Sequence, residues 1–222
     1  MIILRRILEG MAEQDMARTR AQDYEEKRAL ILKRSARLFA ERGFTGASIM
    51  MIADACGVSK ALLYHYYRDK ESVLFDIVDT HLRELVEVAE AALRPDLSPG
   101  DQLDALCAAL LDAYRDADAE HQVQLANLKL LSPERQEALK SLERRLVAIF
   151  SGSIEAAVPA LAGRPALLKP LTMSLFGMLN WHYLWFREGK GMSRRDYARL
   201  VRDLVLAGAA ARVAAPQPEP AA

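Results

Sequence analysis

In "YEEKRALILKRSARLFAERGF" the apolar positions fall at Leu30, Ile31, Leu38 and Phe39, with the small Ser35 between them. That is the repeat of an amphipathic helix. Gly43 follows where such a helix takes a C-terminal glycine. "SIMMIADAC" repeats the pattern over fewer turns: Ser48 is placed to cap it, Ile49, Ile52 and Ala53 point inward, and Gly57 stops it. Ser59 is placed to cap a short helix through "KALLYHYY". Asp69 can cap a long one, "KESVLFDIVDTHLRELVEVAEAAL", which "RPDLSPG" closes. Further helical segments are predicted over 99–117, 120–131, 133–160, 164–189 and 193–213, punctuated by Pro133, Pro159, Gly163, Pro165, Gly189 and Gly191. No alternation long enough for a strand occurs. The prediction is an all-α chain: a three-helix head over 23–70, then a larger bundle over 71–213. Residues 1–22 form an extension ahead of the head, and 214–222 have the composition of a disordered tail.

Composition narrows this picture. Apolar residues make up 51 % of the 222 positions, which excludes a disordered chain and permits a core. Cys56 and Cys107 stand far apart in apolar patterns, as buried thiols of a reducing compartment do. The uncharged run "LTMSLFGMLNWHYLWF" is shorter than the roughly 20 residues of a membrane span and carries Asn180 and His182. It reads as a buried or dimer-facing helix. With no targeting signal in view, a cytoplasmic protein is expected. The net charge of zero conceals an asymmetry: Ala17 to Lys70 holds eleven Lys/Arg against six acids, or +5, so the remainder carries −5. A basic front suggests a polyanion as its partner, although a solvated basic face is the plainer reading.

The short helix after Gly57 carries the most informative chemistry. At 100° per residue, Leu63 and Tyr67 point to one side, while Ala61, Tyr64, His65 and Arg68 point to the other. Leu63 and Tyr67 can anchor the helix to a core. The opposite face stays free, and Lys60 can swing round to it. Two short helices joined by the glycine-containing "CGVS" form a helix-turn-helix over 48–67. The second has the width of a DNA major groove, and the first crosses the backbone. The helix N-termini at Ser48 and Ser59 suit phosphate oxygens, as do tyrosine hydroxyls and the Lys70 ammonium.

The run "GFTGASIMMIADACGVSKALLYHYYRDKESVL" resembles the DNA-binding domain of TetR/AcrR-type regulators. The resemblance rests on "F-A-E-R-G-F", a capping Ser, "I-A-x-x-x-G-V-S", "L-Y-x-x-[FY]" and "K-E-x-L" with one extra residue between Glu71 and Leu74, in register over about 45 residues. It implies a homodimer that binds palindromic double-stranded DNA, usually as a repressor. It further implies a C-terminal bundle that holds an inducer pocket and gives its last two long helices to the dimer. Carried onto this chain, Ser48, Lys60, Ala61, Tyr64, His65 and Lys70 become the expected DNA contacts, with Ser59 at the helix N-terminus beside them. Cys56 stands where the family usually has alanine. Leu62 stands where a polar or small residue is usual, which leaves base preference there open. Arg18 and Arg20 can serve as a basic arm along phosphates or simply lie in a solvated end. Met16 is the expected natural start, because residues 1–15 do not resemble family N-termini.

The bundle is less explicit. On a continuous helix Phe176, Asn180, Tyr183 and Arg187 share one face and can orient a ligand with an anionic or carbonyl group. A core or dimer seam is the plainer reading of the same stripe. Tyr114 and His121, near a helix junction, are further candidates for a pocket, against a structural role for a lone histidine. "LNWHYLWFREG" is also similar to family members responsive to acyl-CoA thioesters, and "KALLYHYYRDKESVLF" to repressors of phenylacetate catabolism. A CoA ligand would use Arg135, Lys140, Arg144 and Arg145 at a pocket mouth; an ordinary charged helix surface would carry the same residues. The four histidines are scattered without metal-ligand spacing, and no nucleophile, base and orienter are recognisable. No metal, no cofactor and no enzymatic activity are expected. The functional expectation is a ligand-responsive DNA-binding regulator, with a regulator lacking a small effector as the alternative.

Overall fold

The structure, a computed structural model, describes residues 2–215, with side chains described for 18 and 20–215. Of the tail expected over 214–222, Ala214 ends α10 and residues 216–222 lie outside the described residues, as do the side chains of 1–17 and 19. All regular structure among the described residues is helical. The helices are α1 (Ile2–Gly46), α2 (Ile49–Cys56), α3 (Lys60–Tyr66), α4 (Lys70–Ala91), α5 (Pro99–Ala113), α6 (Asp118–Asn127), α7 (Pro133–Ala157), α8 (Pro165–Asn180), α9 (His182–Trp185) and α10 (Arg194–Ala214). The caps expected at Ser48 and Ser59 form: their hydroxyls accept from Met51 N–H at 3.2 Å and Leu62 N–H at 3.1 Å. Asp69 accepts from Ser72 N–H at 2.7 Å.

The chain divides into two compact units. Among the described residues, the first runs to Val78 and includes Gln122–Leu131, and the second comprises Asp79–His121 and the chain from Ser132 onward. The first unit thus takes in the start of α4, which is one continuous helix from Lys70 to Ala91.

In the first unit, Ile31, Leu32, Ala36 and Phe39 of α1 pack with Ile52, Ala53 and Cys56 of α2, Leu63 of α3, and Val73, Leu74 and Ile77 of α4, all buried. The buried stripe of α1 is turned from the sequence expectation. Leu30 is exposed and Leu38 half-buried, while Leu32 and Ala36 face inward. Three consecutive apolar residues, Leu30 to Leu32, leave the direction of the stripe undecided until α2 packs against it. Arg18 and Arg20, expected in an arm ahead of the first helix, sit exposed on α1 itself, which continues through them. Gly43 breaks that helix with φ +71°, a left-handed value that side-chain-bearing residues rarely take.

The second unit is a bundle with one hydrophobic core, drawn from Leu85 and Val86 of α4, Leu103 to Leu111 of α5, Phe150 and Ile154 of α7, Leu175 and Leu179 of α8, and Val201 and Val205 of α10. Asp104 enters this core, and its carboxylate receives Arg195 of α10 at 2.6 Å. Pro99 and Pro133 sit in the first turns of α5 and α7, behind Ser98 and Ser132 as caps, where the missing N–H costs nothing.

Candidate nucleic-acid interface and effector site

Three features fix α3. Gly57 ends α2 in the left-handed conformation, φ +66°, and Val58 N–H returns to the Ala53 carbonyl at 3.0 Å, so the chain reverses within a few residues. Ser59 then caps the new helix. Leu63 is fully buried and Tyr67, just past the helix end, is 6 % exposed, which holds the back of α3 to the core. A fully buried leucine contributes about 1.5–3 kcal/mol to such an anchor.

The Tyr67 hydroxyl has a dedicated partner: it donates to Asp76 of α4 at 2.5 Å. Asp76 also receives the guanidinium of Arg28 from α1, at 2.9 Å to Nε and 2.6 Å to Nη2. Burial first, and the Asp76 carboxylate second, push the Tyr67 hydroxyl well above the usual phenol range. The hydrogen bond to Asp76 likewise holds Arg28 protonated. One carboxylate therefore ties α1, the end of α3 and α4 together. No spacing in the sequence singled out Arg28 or Asp76, since the pair lies 48 residues apart.

The outward face of α3 is open. Ala61, Tyr64, His65 and Arg68 are all exposed, as are Ser48, Ser59 and Lys60. The Lys60 ammonium lies 5.7 Å from the Tyr64 ring centroid, within cation–π range. Tyr24 of α1 stacks on Tyr66 at 4.6 Å and meets His65 edge-on at 6.4 Å. Lys70 differs from the rest of the expected set. Its ammonium donates to the carbonyls of Phe44 at 2.9 Å and Ala47 at 3.0 Å, and it lies over the Phe44 ring at 4.5 Å. Its first task is to hold the turn between α1 and α2, which leaves one ammonium hydrogen for anything outside.

In the second unit the helix expected over 164–189 breaks. α8 ends at Asn180, Trp181 turns, and α9 spans only His182–Trp185. Phe176, Asn180, Tyr183 and Arg187 therefore do not share one helix face. Phe176 is buried against Phe150, with ring centroids 4.9 Å apart. Arg187 is exposed and donates to the Phe186 carbonyl at 2.7 Å.

The break brings Asn180 and Tyr183 to Tyr114 and His121 instead. Tyr114 donates to Asn180 Oδ1 at 2.9 Å, and His121 Nε2 lies 3.2 Å from the Asn180 backbone oxygen. The His121 ring is 4.4 Å from Tyr114 and 5.7 Å from Tyr183. His81 of α4, which no local spacing singled out, joins at 5.8 Å from His121. Burial lowers His81 to about 3, helped by the neighbouring imidazole, and lowers His121 to about 4, so both are neutral at pH 7. Of the basic residues considered for a CoA ligand, Arg144 is paired with Glu137 and Arg145 with Glu90, each at 2.6 Å, and Lys140 is exposed. No group of three or more metal-ligating side chains, and no helix long and apolar enough to cross a membrane, occurs among the described residues.

Both units match known proteins. The family model for "Bacterial regulatory proteins, tetR family" matches residues 31–77, and that for "Tetracyclin repressor-like, C-terminal domain" matches 96–215. The chain belongs to the TetR family of transcriptional regulators. It is therefore a regulator and not an enzyme, with the all-α architecture of the family: a helix-turn-helix head and a helical C-terminal domain. The HTH-type transcriptional regulator HbdR of Aromatoleum sp. (strain CIB) is 30 % identical over 72 % of this chain and 69 % of its own. A TetR-family regulator of Bordetella parapertussis 12822 superposes with a TM-score of 0.76 at 32 % identity, covering 81 % of this chain and 93 % of the other. AibR, solved in complex with isovaleryl coenzyme A and operator DNA, shares the fold with a TM-score of 0.67 at 23 % identity, over 80 % of this chain and 97 % of its own.

Proposed function

We propose that this TetR-family chain is a cytoplasmic homodimeric repressor that binds a palindromic operator through α3 and leaves it when a small catabolic effector enters the C-terminal bundle. The observation that carries the reading is the two-sidedness of α3. Its back is fixed by Leu63 and Tyr67, and its exposed front offers a small residue, two polar aromatic tips and basic groups. Ala61 leaves room for a base edge, Lys60 and His65 can reach base acceptors, and Tyr64, Ser48 and Ser59 face phosphates. Lys70 adds a phosphate contact through its remaining hydrogen while it holds the preceding turn.

The seam of the homodimer is formed by α8 and α10. Met173 on α8 and Leu200 with Leu204, one turn apart on α10, are exposed apolar residues that a second copy would cover. The effector is held at the junction of Tyr114, His121, Asn180 and Tyr183. An acyl-CoA thioester is the leading class, supported by the isovaleryl coenzyme A bound to AibR. Phe176 and Arg187 contribute less to this site than their spacing suggested, because the helix breaks at Trp181.

The test is a fluorescence-anisotropy titration of an operator selected from random duplexes, repeated across salt concentrations and with acyl-CoA thioesters. Affinity should fall steeply with salt, because phosphate contacts release counterions. A true inducer should raise the melting temperature and release DNA, since it must bind the DNA-free state more tightly. Affinity that ignores ionic strength contradicts the phosphate assignment. Operator binding that no thioester perturbs points instead to a regulator without a small effector.

A further inference from the structure

His121 carries information about the ligand that its neighbours do not. Its Nε2 lies 3.2 Å from the Asn180 backbone oxygen, and a carbonyl can only accept, so Nε2 bears the ring hydrogen. In a neutral imidazole the other nitrogen is then a bare acceptor. That nitrogen, Nδ1, is buried and has no hydrogen-bond partner among the described residues. Tyr114 cannot supply one, because its single hydroxyl hydrogen already goes to Asn180 Oδ1 at 2.9 Å. His81 lies close by, with a buried Nε2 that has no partner among the described residues and its ring 5.8 Å from that of His121. The surroundings are aromatic: Tyr114 and Tyr183 flank the His121 ring at 4.4 and 5.7 Å.

A carboxylate does not fit at His121 Nδ1. It brings lone pairs to a lone pair unless the imidazole takes up a second proton, and burial opposes that charge. A thioester carbonyl fails for the same reason, since it too is acceptor-only. An O–H group on an uncharged carbon satisfies the nitrogen directly.

We propose that the effector of this regulator presents an uncharged hydroxyl, phenolic or alcoholic, to His121 Nδ1, with the rings of Tyr114, Tyr183 and His81 around its apolar body. This rests on the reading of the bundle as effector-binding. An acyl thioester in this site is recognised through a hydroxyl on its acyl part and not through its carbonyl.

The experiment titrates the full chain with phenol, anisole and benzoate, following the histidine ring nitrogens by long-range nitrogen–proton NMR. In the free protein His121 should show a protonated Nε2 and an unprotonated Nδ1. Phenol should shift the Nδ1 resonance and bind about tenfold or more tightly than anisole, which lacks the donor. Benzoate should be weaker than phenol by a similar factor. In His121→Phe the phenol-to-anisole ratio should fall to about one. If that variant does not fold, the wild-type ratio alone decides. A proton on Nδ1, equal or tighter binding of anisole or benzoate, or no binding by any of the three overturns the proposal. Operator binding is measured on the same samples. Its retention alongside a failed phenol preference overturns the hydroxyl assignment alone, whereas its absence overturns the parent reading.

Discussion

The two units treat polar aromatic groups in opposite ways. In the first, the tips of Tyr64 and His65 point outward from a pinned helix, while Tyr67, turned inward, donates to Asp76. In the second, His81 and His121 are buried, each with a ring nitrogen that has no partner among the described residues. An exposed polar face suits a large, hydrated, charged partner such as DNA, because neither surface is desolvated until they meet. A buried polar atom without a partner suits a small ligand that brings the complementary group with it. On the proposed function, the difference separates a surface that would read a polymer from an interior that would read a molecule.

The most severe way to break the contrast is to loosen the pin behind α3. Leu63→Ala removes a fully buried side chain and should cost about 2–5 kcal/mol of stability, with operator binding lost alongside. Chemical denaturation of the variant measures the cost. A loss within a few tenths of a kcal/mol would show that the back of α3 is not held by this residue. Asp76→Ala should follow, at roughly 2 kcal/mol, because it strands the Arg28 charge and the Tyr67 hydroxyl together. Partial solvent access at the pair keeps the figure below that of a fully buried ion pair.

How well each unit could be read from the sequence follows the same divide. The caps at Ser48, Ser59 and Asp69, the glycine corner at Gly57 and the anchoring role of Leu63 depend on residues within a turn of one another, and local spacing displays them. The stripe of α1 was misjudged at Leu30 because three adjacent apolar residues fit two directions equally well. The task of Lys70 was missed because its carbonyl partners lie 23 and 26 residues away. The second unit hid more. A continuous helix was expected through Trp181, and Pro170, Gly177 and the aromatic run gave no clear stop before Gly189. Once that helix breaks, Phe176 and Arg187 leave the constellation and His81 enters it, an outcome of tertiary packing that helical periodicity cannot express.

The buried histidines also separate the units by their response to acid. Their folded-state values, about 3 for His81 and about 4 for His121 and His182, lie below the ordinary 6.5. Below pH 6.5 the unfolded chain takes up protons that the folded chain refuses. Their contribution is therefore fully present above pH 6.5 and is lost as pH falls toward 4. The slope should reach roughly 1.4 kcal/mol per pH unit for each group. Denaturant melts between pH 7 and pH 4.5 test this, and His81→Phe should flatten the curve by about a third, since two other buried histidines remain. An unchanged slope in that variant would mean that His81 is protonated in the folded protein.

Arg144→Ala removes an exposed ion pair with Glu137 and should shift stability by about 0.5 kcal/mol or less. A shift well above 1 kcal/mol would give that helix surface a role that its exposure does not suggest.

The most direct test adds a charge to the outward face of α3 without touching its anchor. Ala61→Glu places a carboxylate at an exposed position near the start of that helix, where it should leave the melting temperature within a degree or so of the parent. If this face meets DNA, operator affinity should fall by about a hundredfold or more, through repulsion of the phosphates. An unchanged melting temperature together with unchanged operator affinity would contradict the account.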